Sequence, residues 1–231
     1  MKMRAIAGAV AFVLVCSVAS AMPVGGLAHL PEPFSISLAI FGGYQQQSEK
    51  LIHDPDTQGS SYASHLSLNL GIYPVEFFGV FASIGTGDWR MGTIDYQSFL
   101  GVNYSGGVKF KVFPWERSPF QTVLSLGAWG FQASGTALEG DEEEVDVGII
   151  EYQGSLVFSY AVERNILPFG GVRYVSSSTR FSPRARYNMA PVGKWGVQLG
   201  IDYFVTPYVF FSGEMQIFER TAAYLGVGLK Y

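Results

Sequence analysis

The sequence predicts an all-β fold: a single antiparallel up-and-down transmembrane β-barrel of ten strands, with eight or twelve strands left open. Three observations support this prediction. Apolar and polar residues alternate along most of the chain after residue 33, connections alternate between short prolyl turns and longer polar stretches, and the chain ends on an alternating run. Period-two alternation indicates strands, and a membrane barrel needs it because one face meets lipid and the other a polar interior.

Composition points the same way. Charged residues make up 15% of the chain and hydrophobic residues 48%, whereas soluble domains average about a quarter charged. No segment after the N-terminal one offers the roughly 18 apolar residues of a membrane-spanning helix. The 28 glycines and 13 tyrosines favour strands over helices. The net charge of -4 gives no reason to expect a nucleic-acid partner.

The first 21 residues are predicted to be a cleaved signal peptide. Lys2 and Arg4 form the positive start, residues 5–18 the apolar stretch, and residues 19–21 a small-residue cleavage site. A membrane anchor is the alternative, but the stretch is shorter than the ~20 apolar residues of a span. Because the single cysteine, Cys16, lies in this stretch, the mature chain would have no disulfide or thiolate metal site. Residues 22–33 are predicted to be a short N-terminal periplasmic segment, and residues 34–231 the barrel.

The first five predicted strands each place an apolar parity outward, with small or polar residues opposite. With their outward residues, they are 34–40 (Phe34, Ile36, Leu38, Ile40), 66–72 (Leu66, Leu68, Leu70, Ile72), 78–84 (Phe78, Val80, Ala82, Ile84), 100–112 (Leu100, Val102, Tyr104, Val108, Phe110, Val112) and 120–128 (Phe120, Thr122, Leu124, Leu126, Ala128). The third has a partly apolar inner face, through Phe77 and Phe81.

The second five follow the same rule, and the seventh strand is the weakest. They are 150–160 (Ile150, Tyr152, Leu156, Phe158, Tyr160), 169–177 (Val172, Tyr174), 195–203 (Trp195, Val197, Leu199, Ile201, Tyr203), 209–217 (Val209, Phe211, Met215, Ile217) and 223–231 (Ala223, Leu225, Val227, Leu229, Tyr231). An even number suits bacterial barrels and returns both termini to one side.

The connections alternate in length. Short turns with proline are predicted at 73–76, 114–119, 164–168 and 206–207, and long polar loops at 49–60, 85–95, 134–146 and 180–193; the last hairpin, near 219–221, is short. Proline presets φ and offers no strand donor, so it suits tight turns. Aromatic residues that would form an interfacial girdle flank the prolyl turns: Tyr73, Phe77, Trp115, Phe120, Phe169, Tyr203 and Tyr208.

A soluble two-sheet sandwich is the main structural alternative, because its strands also alternate. The predicted strands are long, however, and the apolar parity persists through the last one. Charged residues also fall on the opposite parity throughout, which a barrel explains as a polar interior. These candidate lumen-lining residues are Lys109, Lys111, Glu151, Arg173, Asp202 and Glu214. They could form a structural plug, or leave a narrow water path beside the inward Gly, Ser and Ala residues.

The signal peptide, alternating strands, prolyl turns and terminal aromatic resemble the small bacterial outer-membrane β-barrels, a group that includes OmpA-like, OmpW-like and opacity-type proteins. The resemblance covers residues 34–231 and is architectural. It implies a bacterial outer-membrane location, outer-membrane lipid as surroundings and the barrel-assembly machinery as a partner. In this resemblance the assembly signal is Leu225, Val227, Leu229 and Tyr231.

Two predicted loops carry opposite charges. The third long loop contains Glu142, Glu143 and Glu144, and the fourth contains Arg180, Arg184 and Arg186. Because strands six and seven are adjacent, these residues could form an ionic lid over the outer mouth. Alternatively the loops are independent, or the arginines engage lipopolysaccharide phosphates, which suit bidentate contacts.

No enzyme activity, cofactor or metal is predicted. The only histidines are His29, His53 and His65, and one histidine beside serines does not make a nucleophile and base. The acidic run 139–146 could hold calcium through oxygen ligands, but it lacks the spaced glycine-bearing loop, so a solvated loop tip is preferred. The predicted function is a narrow small-solute channel or a structural membrane protein. The alternative is a surface-interaction protein that binds host or surface ligands through long loops without transport.

Overall fold

The structure is a computed structural model that describes residues 33–54, 56–92, 95–112, 119–137, 143–163, 165–182, 188–218 and 220–231. The predicted signal peptide and most of the predicted periplasmic segment lie outside these residues. The described strands are β1 (Ser35–Leu51), β2 (Gln58–Val75), β3 (Phe78–Met91), β4 (Tyr96–Ser98), β5 (Gly101–Lys111), β6 (Phe120–Ala137), β7 (Glu143–Tyr160), β8 (Ile166–Ser182), β9 (Met189–Pro191), β10 (Trp195–Phe204), β11 (Val209–Ile217) and β12 (Arg220–Lys230).

The strands form one antiparallel sheet that returns on itself. Each long strand pairs with the long strands that precede and follow it in the chain. β8 therefore pairs directly with β10, although the short β9 lies between them in the sequence. The first strand β1 pairs with β2 on one side and with the last strand β12 on the other. Since the pairing closes into a ring, the two-sheet sandwich alternative is wrong. Within the described ranges no helix is long and apolar enough to cross a membrane.

The alternation has the predicted orientation, with apolar side chains outside the ring. In β2, Leu66 and Leu68 are 46% and 44% exposed, whereas Ser67 and Asn69 between them are buried. A water-soluble sheet would bury the leucines. The inward side chains lie in the enclosed interior of the ring, so the chain has polar residues inside and an apolar outer surface.

The number of strands differs from the predicted ten, because the sheet contains twelve. Ten strands have nine or more residues, and β4 and β9 have three residues each. β4 pairs with β3 and β6, and β9 pairs with β1 and β8. β9 lies within the predicted loop 180–193, and β4 directly follows the predicted loop 85–95. Both add short paired segments to the sheet without adding a long strand.

Two of the four predicted long loops, 85–95 and 134–146, are mostly strand, the loop 49–60 is half strand, and the fourth contains β9 and the end of β8. β1 continues to Leu51 and β2 begins at Gln58, β3 runs to Met91, and β6 and β7 pair as far as Ala137 and Glu143. Their polar composition suggested loops. They form strands because each has a partner that satisfies its backbone hydrogen bonds.

Candidate functional site

The interior has a charged layer at mid-height, built from inward positions of β1, β7, β8 and β12. Glu151 lies at its centre and accepts a hydrogen bond from Arg220 Nη2 through Oε2. Arg173 Nη2 lies 3.7 Å from the other carboxylate oxygen, Oε1. All three side chains are at most 2% exposed. We call Glu151, Arg173 and Arg220 the ionic cluster. Buried charges persist only when they are paired and hydrogen-bonded.

Two amide side chains, Gln153 and Gln45, add hydrogen bonds to the ionic cluster. Arg173 Nη2 donates to Gln153 Oε1 at 3.0 Å, and Arg220 Nη1 donates to Gln45 Oε1 at 2.6 Å. The two guanidinium groups therefore connect β1, β7, β8 and β12 across the interior. The hydrogen bonds and ion pairs of this group hold side chains of four strands together inside the ring.

A second set of polar residues lies nearer the short-turn end. Asp202 accepts a hydrogen bond from Ser212 Oγ at 2.6 Å, and Glu214 accepts one from Gln216 Nε2 at 2.7 Å. Lys109 is 1% exposed, and its Nζ lies 5.9 Å from the centre of the Phe81 ring. Asp202 is itself 0% exposed. This layer is also filled by side chains.

The structure places five of the six candidate lumen residues inside the ring: Lys109, Glu151, Arg173, Asp202 and Glu214. It brings together Glu151 and Arg173. Lys111 lies at the short-turn rim instead, where its Nζ is 3.0 Å from Glu76 Oε1 in the β2–β3 turn. Their role as lumen-lining residues stays a prediction.

Sequence reasoning missed Arg220, because residues 219–221 were assigned to a turn. The missed signal was parity: Arg220 and Ala222 continue the inward positions of β12 toward its first residue, and both are buried. Gln45 and Glu49 were missed for the same reason. They follow the last predicted residue of the first strand, yet they continue its inward parity and are 5% and 3% exposed.

Glu49 lies inside the ring near the loop end of β1, where Thr179 Oγ1 donates to its Oε1 at 3.2 Å. The outer face of β1 is already polar at this height, since Gln46, Ser48 and Lys50 follow Tyr44. Burial raises the pKa of the Glu49 carboxyl to about 7, against the smaller lowering effects of Ser61, Thr179 and Arg220. This carboxyl therefore takes up a proton near neutral pH in the folded protein.

Buried apolar side chains line much of the interior, from the loop end to the short-turn end, which corrects the expectation of a polar interior throughout. Trp89, Tyr96 and Phe181 pack together with ring centres 5.4–5.8 Å apart. We call the following buried side chains the apolar cluster: Ala63, Phe81, Trp89, Met91, Tyr96, Trp129, Phe131, Val145, Val147, Ile149, Phe181 and Met189. The physical reason is that inward aromatic side chains of separate strands meet when the ring closes, and their packing removes apolar surface from water.

The structure does not bring the described parts of the proposed ionic lid together. Arg180 and Glu144 are both exposed on the outer face. Arg180 pairs across the strands with Gly148, four residues along β7 from Glu144 and so roughly 13 Å away. The side chain of Glu143 is not described, and Glu142, Arg184 and Arg186 lie outside the described residues. The lid stays a prediction.

The predicted assembly-signal residues lie on the outer face of β12 and just after it. Leu225, Leu229 and Tyr231 are 51%, 38% and 71% exposed, and Val227 lies on the same parity with partial exposure. Nothing in the geometry tests recognition by the assembly machinery.

No catalytic constellation is assembled from the described histidines. His65 is buried and stacks on Trp129 with ring centres 5.7 Å apart, whereas His53 is exposed between β1 and β2. His29 lies outside the described residues. Within the described ranges there is no group of three or more His, Cys, Asp or Glu side chains that could hold a metal ion. The acidic run 139–146 lies only partly within those ranges, so calcium binding there is untested.

Solved structures share this architecture. The transport unit of the autotransporter AIDA-I from Escherichia coli matches with a TM-score of 0.54 at 13% identity, over 95% of this chain and 97% of that one. The translocator domain of the autotransporter NalP from Neisseria meningitidis matches with a TM-score of 0.46 at 12% identity, over 89% and 90%. The outer membrane protease OmpT from Escherichia coli matches with a TM-score of 0.45 at 14% identity, over 90% and 99%.

No family model matches the chain, and no curated protein matches it. The structural likeness therefore shows the fold. The predicted resemblance to outer-membrane β-barrel proteins is confirmed at that level. The ring of strands described above is the architecture of that class.

Proposed function

We propose that this protein is an integral β-barrel of the bacterial outer membrane whose interior is closed, and that it acts as a structural membrane protein. The ten long strands would cross the bilayer, with the short turns in the periplasm and the chain exported through a cleaved signal peptide. The observation that carries the proposal is the filled interior inside an apolar wall. An inward side chain in an open pore would be exposed to water. Arg173, Gln198 and Gln216 face inward, yet each is at most 1% exposed.

The apolar band on the outer wall supports the membrane part of the proposal. On β1 it extends from Ile36 to Tyr44, nine residues, and polar residues follow. Nine to eleven tilted residues suffice to cross a bilayer core. Tyr44 and Tyr62 lie at the upper limit of this band, with ring centres 6.3 Å apart, where tyrosines favour the membrane interface.

The closed interior favours a structural role over the narrow channel that composition also allowed. The ionic cluster lies at mid-height, and the apolar cluster extends from the loop end as far as Phe81. A solute would therefore have to displace both charged pairs and packed aromatic rings. Both displacements cost several kcal/mol, since each leaves buried groups without partners or packing.

Purified protein in detergent tests this proposal. We expect a sheet-rich circular dichroism spectrum, heat-dependent mobility on gels, and no swelling of liposomes in small sugars or amino acids, with a general porin as positive control. Replacing Trp89 and Phe181 together by Ala would thin the apolar cluster. Swelling with the unmodified protein would contradict closure and support the channel, and a soluble, heat-insensitive protein would contradict the barrel.

A surface-interaction role is the second candidate, because the wall continues above the apolar band. β1 and β2 remain paired up to Lys50 and Gln58, and β6 and β7 up to Ala137 and Glu143. These paired strand ends would extend beyond the membrane and present polar residues outside the cell. We expect a cysteine at Ser48 to react with a membrane-impermeant thiol reagent on intact cells. A cysteine at Val205, on the short-turn side, should react only after lysis; the reverse labelling would contradict this orientation.

A further inference from the structure

The outer wall over β5–β8 has a hollow at the border between its apolar and polar parts. The hollow has a volume of about 250 Å³, roughly eight times the volume of one water molecule. Tyr104, Ile150 and Tyr152 supply its apolar lining, and Ser176, Ser178 and Arg180 are among its polar lining residues. We call it the wall groove. A second hollow adjoins it toward the loop end and shares Gln132, Gly148 and Arg180 with it.

The strand register explains why the wall is concave here. Tyr104, Gly130, Ile150 and Ser178 form one cross-strand row, and the next row toward the short turns is Gly106, Ala128, Tyr152 and Ser176. Each row places small residues beside large ones: Gly130 and Ser178 flank Ile150 in the first, and Ala128 and Ser176 flank Tyr152 in the second. The Tyr104 ring lies over Gly130, since an added Cβ there would meet the ring at 2.5 Å. The space left between the larger side chains is the groove.

A positively charged side chain, that of Arg180, lies at the end of the groove nearer the loops. Val102, Gln132, Gly148 and Arg180 form the row above, toward the loop end. A Cβ added at Gly148 would meet nothing within 4 Å, so the space beside Arg180 is open. Among the residues that the structure describes, Arg180 is the one charged residue that lines the wall groove. Asp146, in the adjoining hollow, accepts a hydrogen bond from Ser134 Oγ at 2.6 Å.

We propose that the wall groove binds a phosphorylated lipid of the outer leaflet, with an acyl chain against Tyr104, Ile150 and Tyr152 and a headgroup phosphate on Arg180. The proposal rests on the membrane location proposed above. A guanidinium at the border of an apolar wall matches an anionic headgroup in charge, and it can donate two parallel hydrogen bonds to one phosphate. The groove below it offers the chain an apolar surface at the depth where acyl chains begin.

The test is a lipid titration followed by native mass spectrometry, with the full-length mature protein in a non-ionic detergent. The probes are diphosphorylated lipid A and the same lipid after removal of both phosphates. We expect the phosphorylated form to bind at least about tenfold more tightly, and Arg180→Ala to abolish this preference, because a charge-assisted contact accounts for roughly that factor. Gly148→Leu should weaken both forms by filling the open space beside Arg180 and the upper end of the groove.

Arg90→Ala is the matched control. Arg90 is also an exposed arginine on the outer face, but it lies on β3, near Asp88 at 3.5 Å. Equal losses in Arg90→Ala and Arg180→Ala would overturn the proposal, as would equal binding of the two lipids. A dimer in detergent that Gly148→Leu dissociates would assign the groove to a second copy and also overturn it. Heat-dependent gel mobility of each variant separates these outcomes from failure of the barrel itself.

Discussion

Ile36 and Tyr231 exchange two backbone hydrogen bonds, each with an N···O distance of 2.8 Å. They continue the β1–β12 pairing, whose register runs from Ser37 opposite Lys230 to Gln47 opposite Arg220. The last residue of the chain is therefore held against the second residue of its first strand. This pairing closes the sheet. The backbone groups that β1 and β12 would otherwise expose as edge strands are hydrogen-bonded to each other.

Replacing Tyr231 by Ser tests whether the terminal side chain is an assembly signal. The hydrogen bonds between Tyr231 and Ile36 are made by backbone atoms. We therefore expect refolding in detergent to be little changed. In cells, the amount of heat-modifiable protein in the outer membrane should fall severalfold. The measurement is semi-native gel analysis of membranes beside refolded protein, with Phe218→Ser as a control at another exposed aromatic (79% exposed). Unchanged assembly in cells would make the signal prediction wrong.

Replacing Glu151 by Ala should destabilise the barrel strongly. The carboxylate lies between two buried arginines, and removal of one partner from a buried ion pair costs about 3–5 kcal/mol. Urea-induced unfolding in detergent micelles would measure the change. Ser155→Ala, at another buried inward position of β7, serves as the control and should change stability by less than about 1 kcal/mol. Equal stability of the two variants would show that the ionic cluster contributes little.

Stability should fall as pH rises through the range set by Glu49. Its folded-state pKa, about 7, lies above the ordinary value of 4.5. Between these values the folded state holds more protons than the unfolded state, so unfolding becomes easier with increasing pH. Glu49→Gln should remove this dependence and raise stability at pH 8 by on the order of 1–3 kcal/mol, with little effect at pH 4. Chemical unfolding of both proteins at the two pH values measures it, and parallel pH profiles would contradict the assignment.

Arginine substitutions on the outer wall should depend on height. Leu68 is 44% exposed within the apolar band, so Leu68→Arg would place a charge in hydrocarbon at a cost of about 2–4 kcal/mol. Ser48→Arg lies above the band on β1 and should cost at most about 1 kcal/mol. Unfolding from lipid vesicles would measure both. Equal costs at the two heights would contradict the proposed position of the bilayer.

The alternation of residues determined the class of fold and the orientation of its faces. In β2, Leu66 and Leu68 face outward as predicted, and Ser67 and Asn69 face inward. This is possible because a strand has a period of two, so the order of residues alone shows which parity is apolar. Strand length was less predictable. Residues 45–50 are polar on both parities, and only pairing with 58–63 and with β9 and β12 makes them strand.

From the order of residues alone it follows that an apolar wall faces outward and that Lys109, Glu151, Arg173, Asp202 and Glu214 fall on the inner parity. Tertiary structure alone decided which inner residues meet: Glu151 and Arg220 are 69 positions apart in the chain, and their contact depends on closure of the ring. Closure also decided that aromatic side chains from separate strands fill the loop end. Contacts across a ring depend on the exact register and on curvature. Local alternation restricts the register only to pairings that keep each face on its side, and it carries no information on curvature.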